Sequence, residues 1–349
     1  MTLAEKVGQT NQVRLDEEHL EALIAAGKVG SIICANSAFA GNVRQNPLQA
    51  DEVNGLQRLA VEKSRLGIPL LVARDVIHGY RTVGPIPLGQ AATWSPSLVR
   101  KMARVSAREA VADGIRWTFA PMVDIGRDAR WGRVAEGFGE DPWLAARLGE
   151  AAVCGFQDAE GEGSAMAACA KHFAGYGAAE GGRDYHVAEI SDYALWNVYL
   201  PTFIAAIRAG VLTIMSAFQS WNGLPAAANR ELLAGILRDK LGFDGCVVTD
   251  WNAVGELVAH RIAETREHAA MLSMRAGVDM DMTAGAFDEW LPRLVETGVI
   301  PQARLDEAVA RILAVKEHLG LFERPYADES ASARLHLHPD HIATALEIA

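Results

Sequence analysis

Charged and hydrogen-bonding side chains stand in this sequence at the ends of short apolar runs. In that position a carboxylate or an amine can be half buried and half presented to a ligand. Asp75 follows PLLVAR, Asp124 follows TFAPMV, Lys171 and His172 follow AMAACA, Asp250 follows GCVVT, and Asp281 lies within GVDMDM. Taken alone, Asp250 in GFDGCVVTDWNAVGEL also reads as a helix cap, accepting from the free N–H groups of a first turn. Taken as a set, these ends point to a pocket, because the strand ends of a parallel βα barrel open on one face, where such folds hold their chemistry.

Arginines crowd the same stretches: Arg81 in DVIHGYRT, Arg127, Arg130 and Arg133 in GRDARWGR, and Arg183 in EGGRDYH. Arg127 with Asp128 reads as a structural ion pair. Carboxylate, ammonium, imidazole and guanidinium at one mouth, with Trp131 and Trp251 nearby in sequence, suit a sugar. Hydroxyls need paired donors and acceptors, and the apolar face of a pyranose stacks on an indole.

The elements that must position these groups alternate between strand-like apolar runs and amphipathic helices, the rhythm of a parallel sheet with helical crossovers. Candidate strands are residues 30–34, 69–75, 117–124, 165–173, 212–218, 245–250 and 277–282. An eighth is not evident, because the chain after Met282 reads as helix through LDEAVARILAVKEHLG. The expected fold class is therefore α/β, a (β/α)8-like TIM barrel, with an irregular or missing strand left open. Ser95 and Pro96 open one helix, Leu98, Met102 and Val105 form its stripe, and Gly114 closes it. Leu305, Val309 and Ile312 repeat the pattern near residue 320, so both stripes are core. Residues 1–320 read as one barrel. Residues 321–349 read as a linker and the start of a following segment, so the chain looks like a piece of a longer protein.

Composition narrows the partners. The 349 residues carry 33 Lys and Arg against 44 Asp and Glu, a formal charge of −11, which disfavours nucleic acid and anionic membranes. The apolar runs fall far short of the roughly 20 residues a membrane span needs, and MTLAEKVGQT is no signal peptide. Cys34, Cys154, Cys169 and Cys246 are scattered and read as free thiols. His336, His338 and His341 lie in a polar tail with a solvated or packing role. Neither a metal nor another cofactor is expected.

The ordered segments RDVIHGYRT, APMVDIGRDARWGRVAEGFGEDP, KHFAGYGAAEGGRDYH, MSAFQSWNG and FDGCVVTDW resemble the motif set of glycoside hydrolase family 3, in particular its bacterial periplasmic β-glucosidases. The resemblance implies a retaining exo-acting β-glucosidase with Asp250 as catalytic nucleophile. It implies that Asp75, Arg133, Lys171, His172 and Arg183 bind the hydroxyls of the terminal sugar, with Arg81, Met215 and Trp251 lining the subsite. It also implies a periplasmic or secreted location. A retaining mechanism needs an ionised carboxylate and an acid about 5–5.5 Å away, and Lys171 with the arginines would keep Asp250 charged.

The chain departs from this pattern in two places. Phe218 stands where many relatives carry Tyr, and the acid/base Glu of two-domain relatives lies in a second domain after the barrel. A C-terminal domain or chain completing the site is therefore expected. The alternative is a single-domain β-N-acetylhexosaminidase-like enzyme using Asp184 and His186 as acid/base, with an Arg183–Asp184 ion pair as the duller account of that loop. A sugar-binding barrel with little turnover, a Schiff-base enzyme using Lys171, and homo-oligomer formation also stay open.

Overall fold

The computed structural model describes residues 1–34, 49–158 and 165–349. Its strands are β1 (Asn11–Arg14), β2 (Ser31–Ile33), β3 (Leu71–Arg74), β4 (Trp117–Thr118), β5 (Cys169–Phe173), β6 (Thr213–Ser216), β7 (Ser220–Trp221), β8 (Leu224–Pro225), β9 (Cys246–Val248) and β10 (Asp281–Met282). Two compact units are built from them: Met1–Arg74 with Ala227–Ala327, and Asp75–Ala226 with Asp328–Ala349.

In the first unit β1 lies between β10 and β2, with β3 beyond β2, all parallel. Asn11 pairs with Asp281, Gln12 with Ser31, and Ile32 with Val72. Val248 of β9 bridges Met280 beside β10. β1 lies at the start of the chain, ahead of the seven expected runs, and not after Met282. Its text, NQVR, has no apolar run, yet Gln12 is fully buried. Gln12 Nε2 donates to Ser31 Oγ at 2.7 Å, and Ser31 Oγ donates to Leu71 O at 2.6 Å. Burial of the Nε2 group is tolerated because it is hydrogen-bonded, while Gln12 Oε1 is buried without a hydrogen-bond partner.

The helix Leu3–Gln9 ahead of β1 opens with a capping box between Thr2 and Glu5. At the other end of the unit, Leu305, Val309 and Ile312 are buried on the helix Gln302–His318, as their spacing predicts.

In the second unit Trp117 bridges Ala167 and Met122 bridges Lys171. β5 runs parallel to β6, with Cys169 opposite Thr213 and Phe173 opposite Ser216. The expected strand 117–124 is regular only over Trp117–Thr118, since Pro121 has no N–H to give the ladder. Its carbonyl still accepts from Lys171 N at 3.1 Å. The β5 register shifts between Ala170 and Phe173, the stretch that holds Lys171 and His172. Such an irregularity re-aims side chains.

Outside the strands, the helix Pro96–Ala112 opens at Ser95, whose Oγ accepts from Leu98 N at 3.4 Å. Gly114, with φ +83°, follows its end. Met102 and Val105 are buried and pack with Leu98 against Ile348 of the helix Pro339–Ile348. The tail after residue 327 thus folds onto this helix. β7 and β8 form an antiparallel hairpin.

Candidate active site

The loop after β3 brings in Asp75, and β5 brings in Lys171 and His172. Lys171 Nζ donates to Asp75 Oδ1 at 3.0 Å, with the ammonium side chain 5% and the carboxylate 26% exposed. Such a pair orients both groups while leaving the carboxylate open to a ligand.

Next to it a chain of polar groups runs from buried Asp124 and His172 to partly exposed Arg133 and Glu136. Asp124 Oδ2 accepts from His172 Nδ1 at 2.7 Å and from the His172 amide at 2.9 Å. Arg133 Nη2 lies 3.3 Å from His172 Nε2, and a guanidinium can only donate. His172 Nε2 is therefore the acceptor and Nδ1 carries the proton, which fixes the tautomer. Arg133 is held in turn by Glu136, through Nε to Oε1 at 2.7 Å and Nη2 to Oε2 at 3.1 Å. Its guanidinium also sits 5.2 Å from the centre of the Tyr176 ring.

The electrostatics follow from burial and neighbouring charge. Burial, then the positive charges of Arg133 and Lys171, hold His172 well below its usual range, so its imidazole is neutral. Burial pushes the Asp124 carboxyl up to about 7, against the pull of the His172 amide and Arg133. Glu136 behaves oppositely. Burial raises it, but the charge of Lys171 and the bonds from Arg133 leave it below its usual value, hence ionised. The result is a set of fixed donors and acceptors, with Lys171, His172 and Asp124 buried and Arg133 and Glu136 partly exposed.

Other expected residues fall as follows. Met215 is buried on β6, 2% exposed. Arg81 lies beside Asp113, Nη2 to Oδ2 at 3.4 Å, and over the Tyr80 ring at 5.3 Å. Arg183 is exposed on the loop after β5.

In the other unit, Asp250 leaves β9 with 9% exposure. Its Oδ1 accepts from Trp251 N at 2.6 Å, while the helix Ala253–Ala259 has Asn252 as its N-cap. Asp250 is therefore not the cap of that helix. Asp281 is the strand end with a structural duty, since its Oδ2 accepts from Ala286 N at 2.9 Å and Phe287 N at 3.2 Å. Trp251 is half-buried.

Three expectations need correction or restatement. Trp131 is 0% exposed and cannot stack on a sugar. Its Nε1 donates to Asp184 at 2.9 Å and its ring packs on Tyr176 at 5.3 Å. Asp128 pairs with Arg130 at 2.6 Å, because a residue two positions on can fork back to it, whereas Arg127 hydrogen-bonds Tyr199. Asp184 is engaged by Trp131, and His186 Nδ1 is buried without a hydrogen-bond partner. The Asp184–His186 pair is thus not joined through that nitrogen. Gly182 makes this loop path possible: with φ +65°, any Cβ there would lie 2.6 Å from Trp131 N.

Sequence reasoning missed Glu136 altogether and noted Asp124 only as a strand end. The signal for Glu136 was present as Arg-x-x-Glu spacing in GRVAE, a pair that meets on one helical turn.

Among the described residues, no group of three His, Cys, Asp or Glu could hold a metal ion, and no helix is long and apolar enough to cross a membrane. No disulfide joins any of the four cysteines.

Residues 2–315 match the family described as Glycosyl hydrolase family 3 N terminal domain. The periplasmic beta-glucosidase of Salmonella typhimurium is 39% identical over 96% of this chain and 44% of its own length. A beta-xylosidase of Formosa agariphila is 40% identical over 76% of this chain and 40% of its own. The crystal structure of a beta-glucosidase from Listeria innocua in complex with glucose superposes with a TM-score of 0.90 at 39% identity, covering 100% of this chain and 49% of that one. The fold class is that of these TIM-barrel-like α/β domains. The chain spans about half the length of the relatives it matches, or somewhat less. With the motif segments, the folded elements and the match over residues 2–315 in agreement, the chain belongs to glycoside hydrolase family 3, through that family's N-terminal domain.

Proposed function

We propose that residues 1–320 supply the sugar-binding and nucleophile-bearing barrel of a retaining, exo-acting β-glucosidase, and that residues 321–349 lead into a following segment. The observation that carries this reading is the fixed network of Asp75, Lys171, His172, Asp124, Arg133 and Glu136. Its donors and acceptors match the vicinal hydroxyls of one terminal sugar. The names of the Salmonella and Listeria relatives, and the glucose in the Listeria structure, support a glucosyl ligand over a xylosyl one.

In this reading Arg81, Arg183, Met215 and Trp251 complete the glucosyl subsite. Asp250 attacks the anomeric carbon, the bond to the leaving oxygen breaks, and that oxygen takes a proton from a general acid. Water then releases the sugar from Asp250 with net retention. The acid comes from a second domain or chain, in keeping with relatives about twice as long. The name of the Salmonella relative supports a periplasmic or secreted location.

A 2-deoxy-2-fluoroglucoside with a good leaving group tests the assignment. Peptide mass spectrometry is expected to place the label on Asp250, and proton NMR is expected to show the β-anomer of glucose first. Label on another carboxylate, or the α-anomer first, overturns the mechanism.

A further inference from the structure

Glu109 and Asp113, one turn apart at the end of the helix Pro96–Ala112, tie together two segments remote in sequence. Toward the Arg81 loop, Glu109 Oε2 accepts from the amides of Arg81 at 2.9 Å and Thr82 at 2.7 Å, and Oε1 accepts from Thr82 Oγ1 at 2.7 Å. Asp113 Oδ2 accepts from Tyr80 OH at 2.7 Å and Arg81 Nη2 at 3.4 Å.

Toward the tail, Glu109 Oε1 accepts from His341 Nδ1 at 2.9 Å and from the Leu337 amide at 3.1 Å. Its backbone carbonyl takes His336 Nε2 at 3.2 Å, and Asp113 Oδ1 takes Ser332 Oγ at 2.5 Å. Glu109 is 0% and Asp113 1% exposed. Buried carboxylates of this kind persist only when saturated with donors. Burial pushes the Glu109 carboxyl up, but the bonds from His341, Thr82 and Arg81 outweigh it and bring it to about 2.

We infer that Glu109 and Asp113 form a junction through which the docked tail, by His341, Leu337 and Ser332, positions the Arg81 loop for sugar binding. This rests on the reading of Arg81 as a subsite residue. The tail supplies two of the five donors on the Glu109 carboxylate, both of them on Oε1 beside Thr82 Oγ1, so the carboxylate loses most of what holds that oxygen when the tail lets go. The Arg81 and Thr82 amides then lose their shared acceptor, and the guanidinium loses its fixed origin. The three tail residues, Glu109 and Asp113 are positioning residues, since they act on the ligand only through the loop. His336 and His341, expected from the sequence in a solvated or packing role, thereby acquire a task. The same junction makes the segment leading out of this chain a means of tuning affinity at the site.

The test uses the full chain with His341→Ala, His341→Asn and Ser332→Ala. Calorimetric titration with D-glucose and hydrogen exchange at the amides are read side by side. His341→Ala is expected to weaken glucose binding about five- to tenfold and to speed exchange at Arg81 and Thr82 about tenfold, with Ser332→Ala acting in the same direction. His341→Asn, whose amide can take the place of Nδ1–H, is expected to restore both. In combination with Arg81→Ala, the His341→Ala loss should vanish, because coupled residues are not additive.

Unchanged exchange at Arg81 and Thr82 overturns the junction. So does a loosened loop with unchanged glucose affinity, or full additivity with Arg81→Ala. A wild-type chain that fails to bind glucose sinks the glucosidase reading itself, and normal glucose binding beside unchanged exchange sinks the junction alone.

Discussion

His172 and Asp124 meet through a single oxygen: Asp124 Oδ2 accepts both the ring Nδ1–H at 2.7 Å and the backbone amide at 2.9 Å. Asp124→Ala removes that acceptor and strands two buried donors, a loss of about 1–3 kcal/mol. Glucose affinity is expected to drop about tenfold or more, with nitrogen NMR reporting a mixed ring tautomer. Asp124→Asn keeps an acceptor oxygen and should be milder. An Asn variant weaker than the Ala variant would refute this account.

Arg133 owes its direction to Glu136, so Glu136→Gln places an amide N–H against guanidinium donors and turns Arg133 away from His172. On an activated aryl glucoside, KM is expected to rise about tenfold with a smaller change in kcat, as loss of uniform binding does. Equal falls in kcat and kcat/KM would instead place Glu136 in the transition state.

On this chain alone, a dinitrophenyl glucoside should be cleaved far better than cellobiose. Loss of general acid catalysis costs about 10² to 10⁴ in rate, and a dinitrophenolate needs little protonation to leave. Efficient cellobiose cleavage abolished by His186→Ala would instead make Asp184 and His186 the acid/base pair.

Asp279 is fully buried and accepts from Arg238 at 2.7 Å, Arg304 at 2.9 Å and Arg311 at 3.2 Å, besides the Val247 amide at 2.9 Å. Asp279→Ala leaves guanidinium groups without their counter-charge and should cost about 3–5 kcal/mol. Urea unfolding measures it, and a loss under about 1 kcal/mol would mean that the arginines simply reach water.

Lys316 is fully buried with Nζ 2.7 Å from Gln9 Oε1, and burial lowers its pKa from 10.5 to about 7. Between those values the unfolded chain holds a proton that the folded chain has shed, so folding stability rises with pH across that window. Below pH 7 the folded chain must bury the charge. Relative to Lys316→Met, the wild-type protein is expected to be weakest near pH 6 and to gain steadily toward pH 10, on the order of the window set by the two pKa values. Parallel stability curves for the two proteins would exclude a neutral buried amine.

What was legible in the sequence was the placement of polar groups at strand ends, because a carboxylate after an apolar run stands out locally. Lys171 pairs with Asp75 and Arg133 lies against His172, and the charge of Lys171 acts on His172 as well. The partners that orient them were less visible. Glu136 lies in a short 3-10 helix, GRVAE, and its value depends on a guanidinium three residues away being aimed at an imidazole on β5. Trp131 read as a sugar platform because sequence shows an indole but not its burial. Glu109 carries no local signal, being one carboxylate on the helix whose stripe is Leu98, Met102 and Val105. Only the return of the tail, with His341 and Leu337, shows why that carboxylate is inside. β1 escaped notice for a related reason, since apolar periodicity cannot find a strand whose buried face is polar.

That polar strand has a consequence for how the chain finds its alignment. Apolar strands tolerate sliding, because one aliphatic contact replaces another, and a shift of one residue is opposed only by which face is buried. Here Gln12 Nε2, Ser31 Oγ and Leu71 O form a relay across β1, β2 and β3 at 2.7 and 2.6 Å. Sliding β1 by one position turns Gln12 to the opposite face, puts Val13 opposite Ser31, and breaks the relay at its first member. The misaligned sheet then buries a hydroxyl and an amide with nothing to bind, so a chain caught in that state is driven to let go and try again. A glutamine in the interior thus acts as a proofreading device for strand pairing.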